Sequence, residues 1–168
     1  KVDGAFTVEK QGPLFFSEFR KLGLKIWDKD KAIILVDHGT PPTKVMEAAL
    51  ITDTTGFAQE YDLPLYNSEG ICHQIMPEKG HILPGYAYVG TDSHTTTYGA
   101  FGAFSTGIGA TEMAWVFNKG SIWMKVPSAI LINIDGVLPN YVYGKDLALY
   151  VMTLLGTDGA SYKAIEYR

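Results

Sequence analysis

Two apolar runs in this chain end in the same chemical pair. Ala32 to Val36 leads straight into Asp37-His38, and Tyr86 to Val89 leads into Asp92-Ser93-His94. A carboxylate beside an imidazole can orient the ring, select its tautomer and tune its pKa, which suits proton transfer. A strand that ends in such residues delivers them to the crevice at the carboxyl edge of an open α/β sheet, where ligands bind. A single Asp-x-His is commonplace in capped loops. The same layout at two strand ends points to one site built from several strands. His73, between Cys72 and Gln74, reads as half-buried and suits either the site or the core. His81 follows a Pro-Glu-Lys-Gly turn and is expected at the surface.

The spacings name no metal. Cys72 adjoins His73 without a ligand spacing, and the histidines at 38, 73 and 94 match no mononuclear pattern. Behind Asp92 come three threonines and then Gly99, Gly102, Gly107 and Gly109. Gly107-Ile108-Gly109 does not open a dinucleotide fingerprint, because Glu112 stands where its last glycine belongs, and no Gly-Lys-Ser/Thr loop follows. The glycines are expected to allow close packing or a close approach of ligand to backbone.

The positioning elements follow from periodicity. A short apolar stretch, Ala5 to Val8, precedes Gly12-Pro13, and Phe15, Phe16, Phe19 and Leu22 then lie on one helical face that stops at Gly23. Ala32 to Val36 predicts a strand buried on both faces. Thr43 is expected to cap a helix from Lys44 to about Tyr61, and Leu63 to Asn67 is a weak strand because of its proline. A helix is predicted from about Gly99 to Asn118, with Met113, Trp115, Val116 and Phe117 in the core. Ser121 to Val126 reads as a strand that stops at Pro127, and Ala129 to Ile134 as a strand of high β propensity closed by Asp135-Gly136. Lys145 to Leu155 is helical, and Asp158 to Arg168 alternates. Strands alternating with helices predict an α/β domain over residues 1–168 with at least part of its sheet parallel.

Composition narrows the class. At 168 residues the chain is one domain or part of a larger protein; 46% hydrophobic content supports a core, and 19% charged excludes a disordered chain. A net charge of −4 gives no support to nucleic-acid binding. No apolar run reaches the roughly 18 residues of a membrane span, and no signal-peptide pattern is present. A soluble cytoplasmic protein is expected. The one cysteine, Cys72, excludes an internal disulfide and a self-contained thiolate-held cluster.

Taken in order, Val36-Asp-His38, Gly70-Ile-Cys-His-Gln74, Gly90-Thr-Asp-Ser-His-Thr95 and Tyr98-Gly-Ala-Phe-Gly-Ala-Phe104 resemble the aconitase superfamily. The nearest resemblance is to the large subunits of 3-isopropylmalate dehydratase and homoaconitase, from about Gly12 to Glu166. It implies a three-layer α/β/α fold with a largely parallel sheet, of the aconitase iron–sulfur-domain type. It also implies a hydro-lyase of amino-acid biosynthesis that moves water across neighbouring carbons of a hydroxy di- or tricarboxylate, such as 3-isopropylmalate, homocitrate or homoisocitrate. Carried over by position, His38 protonates the departing hydroxyl with Asp37 behind it. His73 pairs with Asp92, His94 pairs with Glu166, and Ser93 binds a substrate carboxylate.

The departures are equally specific. The family's [4Fe–4S] cluster takes three cysteines from a later region, and Cys72 matches none of them. The swivelling domain, with its serine base and substrate-binding arginines, has no counterpart here. Val8-Glu9 stands where the family often carries His-Asp or Gln-Asp. The expectation is therefore the amino-terminal part of a large subunit, binding no cluster and nearly inactive alone. Its partners would be a cluster-binding portion and a small swivelling subunit, and apolar surface should be left exposed for them. Two other readings are a non-catalytic assembly or regulatory fragment, and a mononuclear metal hydrolase using His38, His73 and His94.

Overall fold

The computed structural model describes residues 1–168, which form two compact units, Lys1–Ile122 and Trp123–Arg168. In the first unit the strands are β1 (Gly4–Val8), β2 (Ala32–Val36), β3 (Leu65–Asn67), β4 (Ala87–Gly90) and β5 (Phe104–Gly107). The helices are α1 (Pro13–Lys21), α2 (Val45–Tyr61), α3 (Cys72–Glu78) and α4 (Ala110–Lys119), with a 3₁₀ segment at Thr95–Phe101.

The strands make one parallel sheet in the order β3-β2-β1-β4-β5. The apolar stretch at the start of the chain is thus its central strand. Both β1 and β2 are buried along their whole length, as a parallel sheet covered on two faces requires. Alternation sends Ala5, Ala32, Ile34 and Val89 to one face, where α1, α2 and α4 pack through Phe15, Phe16, Phe19, Phe57 and Phe117. Phe16 and Phe57 stack there at 3.9 Å between ring centres. The other face carries Phe6, Ile33, Leu35 and Tyr88 against α3 and the 3₁₀ segment, through Met76 and Tyr98. This is the expected three-layer α/β/α arrangement.

Several local expectations are corrected. The helix placed from Gly99 to Asn118 is three elements: the 3₁₀ segment, β5 and α4. Gly102, at φ 76°, ends the first, and pairing with β4 draws Phe104–Gly107 into the sheet. Trp115 is 56% exposed, whereas Met113, Val116 and Phe117 are buried. Ser121 to Val126 forms no strand; the boundary between the units falls inside it. Thr43 does not cap α2. Lys44 holds that position, while the Thr43 N–H and hydroxyl both donate to Glu47. His81 is half-buried, bonded to the Tyr66 hydroxyl at 2.7 Å, and burial lowers its pKa.

The second unit is a strand–helix–strand: β6 (Ser128–Ile132), α5 (Gly144–Leu155) and β7 (Lys163–Tyr167), with β6 and β7 parallel. The Asp146 carboxylate accepts the Tyr143 N–H at 2.8 Å, closing the helix start. Val151 is the buried residue of α5, and Leu131, Leu149, Tyr150, Met152, Leu154 and Ile165 face solvent. Each of these units has its own sheet. No helix is long and apolar enough to cross a membrane.

Candidate functional site

The sheet order decides where the reactive residues meet. Sequence order runs outward from β1 through β2 and β3 on one side, then jumps back to β4 on the other. The seam between β1 and β4 is therefore the topological switch point of a doubly wound sheet, whose carboxyl edge is the ligand-binding position. Val8 lies opposite Leu35 and Phe6 opposite Gly90, so the chains leaving β1, β2 and β4 emerge side by side. They deliver Glu9, Asp37-His38 and Asp92 in turn, and α3 adds His73.

His38 sits between two carboxylates. Its Nδ1 is 2.6 Å from Asp37 Oδ1 and its Nε2 is 3.0 Å from Asp92 Oδ2. With an acceptor at each nitrogen, the doubly protonated ring is the form that satisfies both contacts. Burial works against that charge, but the hydrogen bond and charge of Asp37, then Glu9 and Asp92, prevail, and the His38 pKa is raised. The ring keeps 31% of its surface exposed, within reach of a ligand.

Asp92 joins the parts. Its Oδ1 lies 2.8 Å from His73 Nε2 and accepts the His94 N–H at 2.7 Å, while its own carbonyl accepts the Thr95 hydroxyl at 2.6 Å. Burial would raise its pKa, but the His94 N–H, the His73 hydrogen bond and the charges of His73 and His38 hold it below the usual carboxylate value. Asp92 is thus an anion shared by two imidazoles. The expected pairing of His73 with Asp92 is present, as is that of His38 with Asp37; the sharing of Asp92 with His38 was not anticipated. His73 Nδ1 is buried without a partner.

The remaining residues are placed less tightly. The His94 ring is 81% exposed, with Nδ1 3.2 Å from Ser93 Oγ and 3.4 Å from Asp92 Oδ1. Its acidic neighbour within the first unit is therefore Asp92. Glu166 lies on β7 of the second unit, exposed and in register with Leu131. Ser93 is exposed beside the cluster.

Sequence reasoning missed Glu9. It is 1% exposed, and its carboxylate accepts the N–H groups of Asp37 at 3.1 Å, His38 at 2.8 Å and Gly39. The signal was available, since Glu9 directly follows the apolar run of β1 just as Asp37 follows β2. Thr91 was also missed: its hydroxyl accepts the Val8 N–H at 3.2 Å and meets the Thr7 hydroxyl at 3.0 Å, tying β1 to the loop after β4.

The first unit is thus a doubly wound α/β sheet with carboxylates and imidazoles linked at its switch point. Residues 3–168 match the Aconitase family (aconitate hydratase), and the chain belongs to that family. It is 41% identical to a probable 3-isopropylmalate dehydratase large subunit of Methanothermobacter thermautotrophicus, over 99% of this chain and 40% of that protein. It is 43% identical to 3-isopropylmalate dehydratase large subunit 1 of Methanopyrus kandleri, with the same coverage. A probable methanogen homoaconitase large subunit of M. thermautotrophicus is 40% identical over 99% of this chain and 41% of its own length. The chain thus spans about two-fifths of the curated relatives it matches.

The residues present do not fit the iron–sulfur cluster that the family implies. Cys72 is fully buried at the start of α3, its N–H donates to Asp37 Oδ2 at 2.6 Å, and the Tyr98 hydroxyl donates to its carbonyl. Burial first, then the charges of Asp37 and Asp92, push its thiol pKa far up, so it is not poised as a thiolate ligand. Cys72, His73 and Asp92 bring donor atoms within 4.8 Å of one another in this packed corner of the site.

Proposed function

We propose that these residues are the amino-terminal part of a hydro-lyase large subunit that removes and adds water on a hydroxy di- or tricarboxylate, of the 3-isopropylmalate or homocitrate/homoisocitrate type. The observation that carries the reading is His38 held between Asp37 and Asp92 at the switch point. Hydroxide is a poor leaving group, so dehydration needs a proton donor at the departing oxygen. His38, kept protonated by its two acids, supplies that proton at Nε2 once the departing hydroxyl takes the place of Asp92 there, which leaves a neutral ring with Nδ1–H on Asp37. Asp92 keeps His73 oriented beside it, and Ser93 offers a hydroxyl to a substrate carboxylate. By resemblance His94 acts with Glu166. The cluster ligands and the base that takes the carbon-bound proton come from other parts of the complete enzyme, including a small subunit. The two units described here belong to one large-subunit domain in this reading.

An anaerobic hydratase assay on isopropylmaleate and cis-homoaconitate tests it, with iron and sulfide supplied. The chain alone is expected to be inactive. Activity should appear with a complementary chain that carries the cluster cysteines, together with the small subunit. His38→Asn should then lower kcat by about 10²–10⁴-fold, the range of a general acid. Full activity in that variant would refute the assignment of His38. No activity in the assembled mixture would leave a non-catalytic assembly fragment.

A further inference from the structure

Glu9 is an acid almost wholly withdrawn from solvent at the end of the central strand. No lysine or arginine pairs with its carboxylate. Its partners are three successive backbone N–H groups, those of Asp37, His38 and Gly39. Successive N–H groups that converge in this way form a concave anion-binding turn, here filled by the protein's own side chain.

The clamp has a directional consequence. Residues 37 and 38 leave β2 with their backbone tied to β1, so neither can rotate freely. That holds Asp37 so that one oxygen meets His38 Nδ1 and the other meets the Cys72 N–H, and it aims His38 Nε2 across the seam at Asp92. We infer that Glu9 is a positioning residue for His38: its carboxylate fixes the turn at residues 37–39 and thereby sets the imidazole between Asp37 and Asp92. The role given to His38 rests on the function proposed above; the clamp itself does not.

The test uses histidine ring and backbone amide NMR on the 168-residue chain. The charged and titratable groups around His38 are Glu9 from β1, Asp37 beside it, Asp92 after β4, and Cys72 and His73 on α3. Glu9→Asp retains the charge but shortens the side chain by one methylene, which draws the carboxylate back from the three N–H groups. The expected result is a lower His38 titration midpoint, upfield movement of the His38 and Gly39 amide protons, and loss of the His38 Nε2–H signal. His81, bonded to Tyr66 instead, should keep its midpoint. Glu9→Gln, which keeps the length but removes the charge and one acceptor oxygen, should also lower the His38 midpoint. A folded Glu9→Asp protein with unchanged His38 midpoint, amides and ring N–H would overturn the inference. If neither variant folds, scalar couplings across the hydrogen bonds from the His38 and Gly39 amides to the Glu9 carboxylate decide in the native protein: their presence supports the clamp and their absence refutes it. A failed hydratase assay would not alter these readouts, so the two ideas fail separately.

Discussion

Asp92 carries more of the site than any other side chain, because its carboxylate serves His38, His73 and the His94 N–H together. Asp92→Asn loses one anionic acceptor and offers two donors to rings that need acceptors. Urea unfolding should register a loss of about 1–3 kcal/mol, the usual cost of buried polar groups left unsatisfied. The two perturbed groups also define a pH window. His38 has a raised pKa in the folded protein, so its contribution is complete below its ordinary value of 6.5 and disappears as pH rises through the folded value. Asp92 has a lowered pKa, so its contribution is complete above 3.8 and disappears as pH falls through the folded value. Both contributions are therefore complete between those values. Urea midpoints measured against pH should decline on either side, and His38→Asn should abolish the decline that His38 causes on the alkaline side. An unchanged alkaline limb in that variant would assign it to another group.

Among the elements, the loop after β4 depends on a close approach from β5. A Cβ on Gly107 would lie 2.6 Å from the Asp92 carbonyl oxygen and 3.3 Å from Ser93 Cα, backbone atoms that cannot swing aside. Gly107→Ala should cost about 1–3 kcal/mol, as overpacking does, and should displace the loop that bears Asp92. Gly99→Ala has open space around it and should stay within about 0.5 kcal/mol of the native protein. Thermal unfolding of the pair distinguishes a packing requirement from a general intolerance of alanine. These contrasts also mark what periodicity could convey. The helical phenylalanine face of α1 and the continuous apolar run of β2 were legible, because burial on one or both sides leaves a pattern in the chain itself. β5 was not, because Phe104–Gly107 is short, mixed and glycine-bounded. Its strand conformation depends on the neighbouring β4, and local propensity does not report that.

For the whole molecule, the apolar residues left at the surface of the second unit set the expected behaviour in solution. Leu131, Leu149, Tyr150 and Met152 are each 49% exposed or more. Exposed apolar groups of this kind favour association. Sedimentation velocity should give a weight-average size that rises with concentration, and Leu149→Lys should reduce the rise. A monomer at every concentration would contradict this expectation. The sequence by itself determined the α/β class and the family, and it put Asp37, His38, Asp92 and Ser93 after the ends of strands, because strand-end polarity and motif order are local properties of the chain. The tertiary structure alone decided that Asp92 is shared by His38 and His73, and that Glu9 closes on the turn at residues 37–39. Both depend on β1 lying between β2 and β4. That order is set by non-local strand pairing and by helices packing on two faces, so it brings together residues that lie 19 to 54 positions apart in the chain.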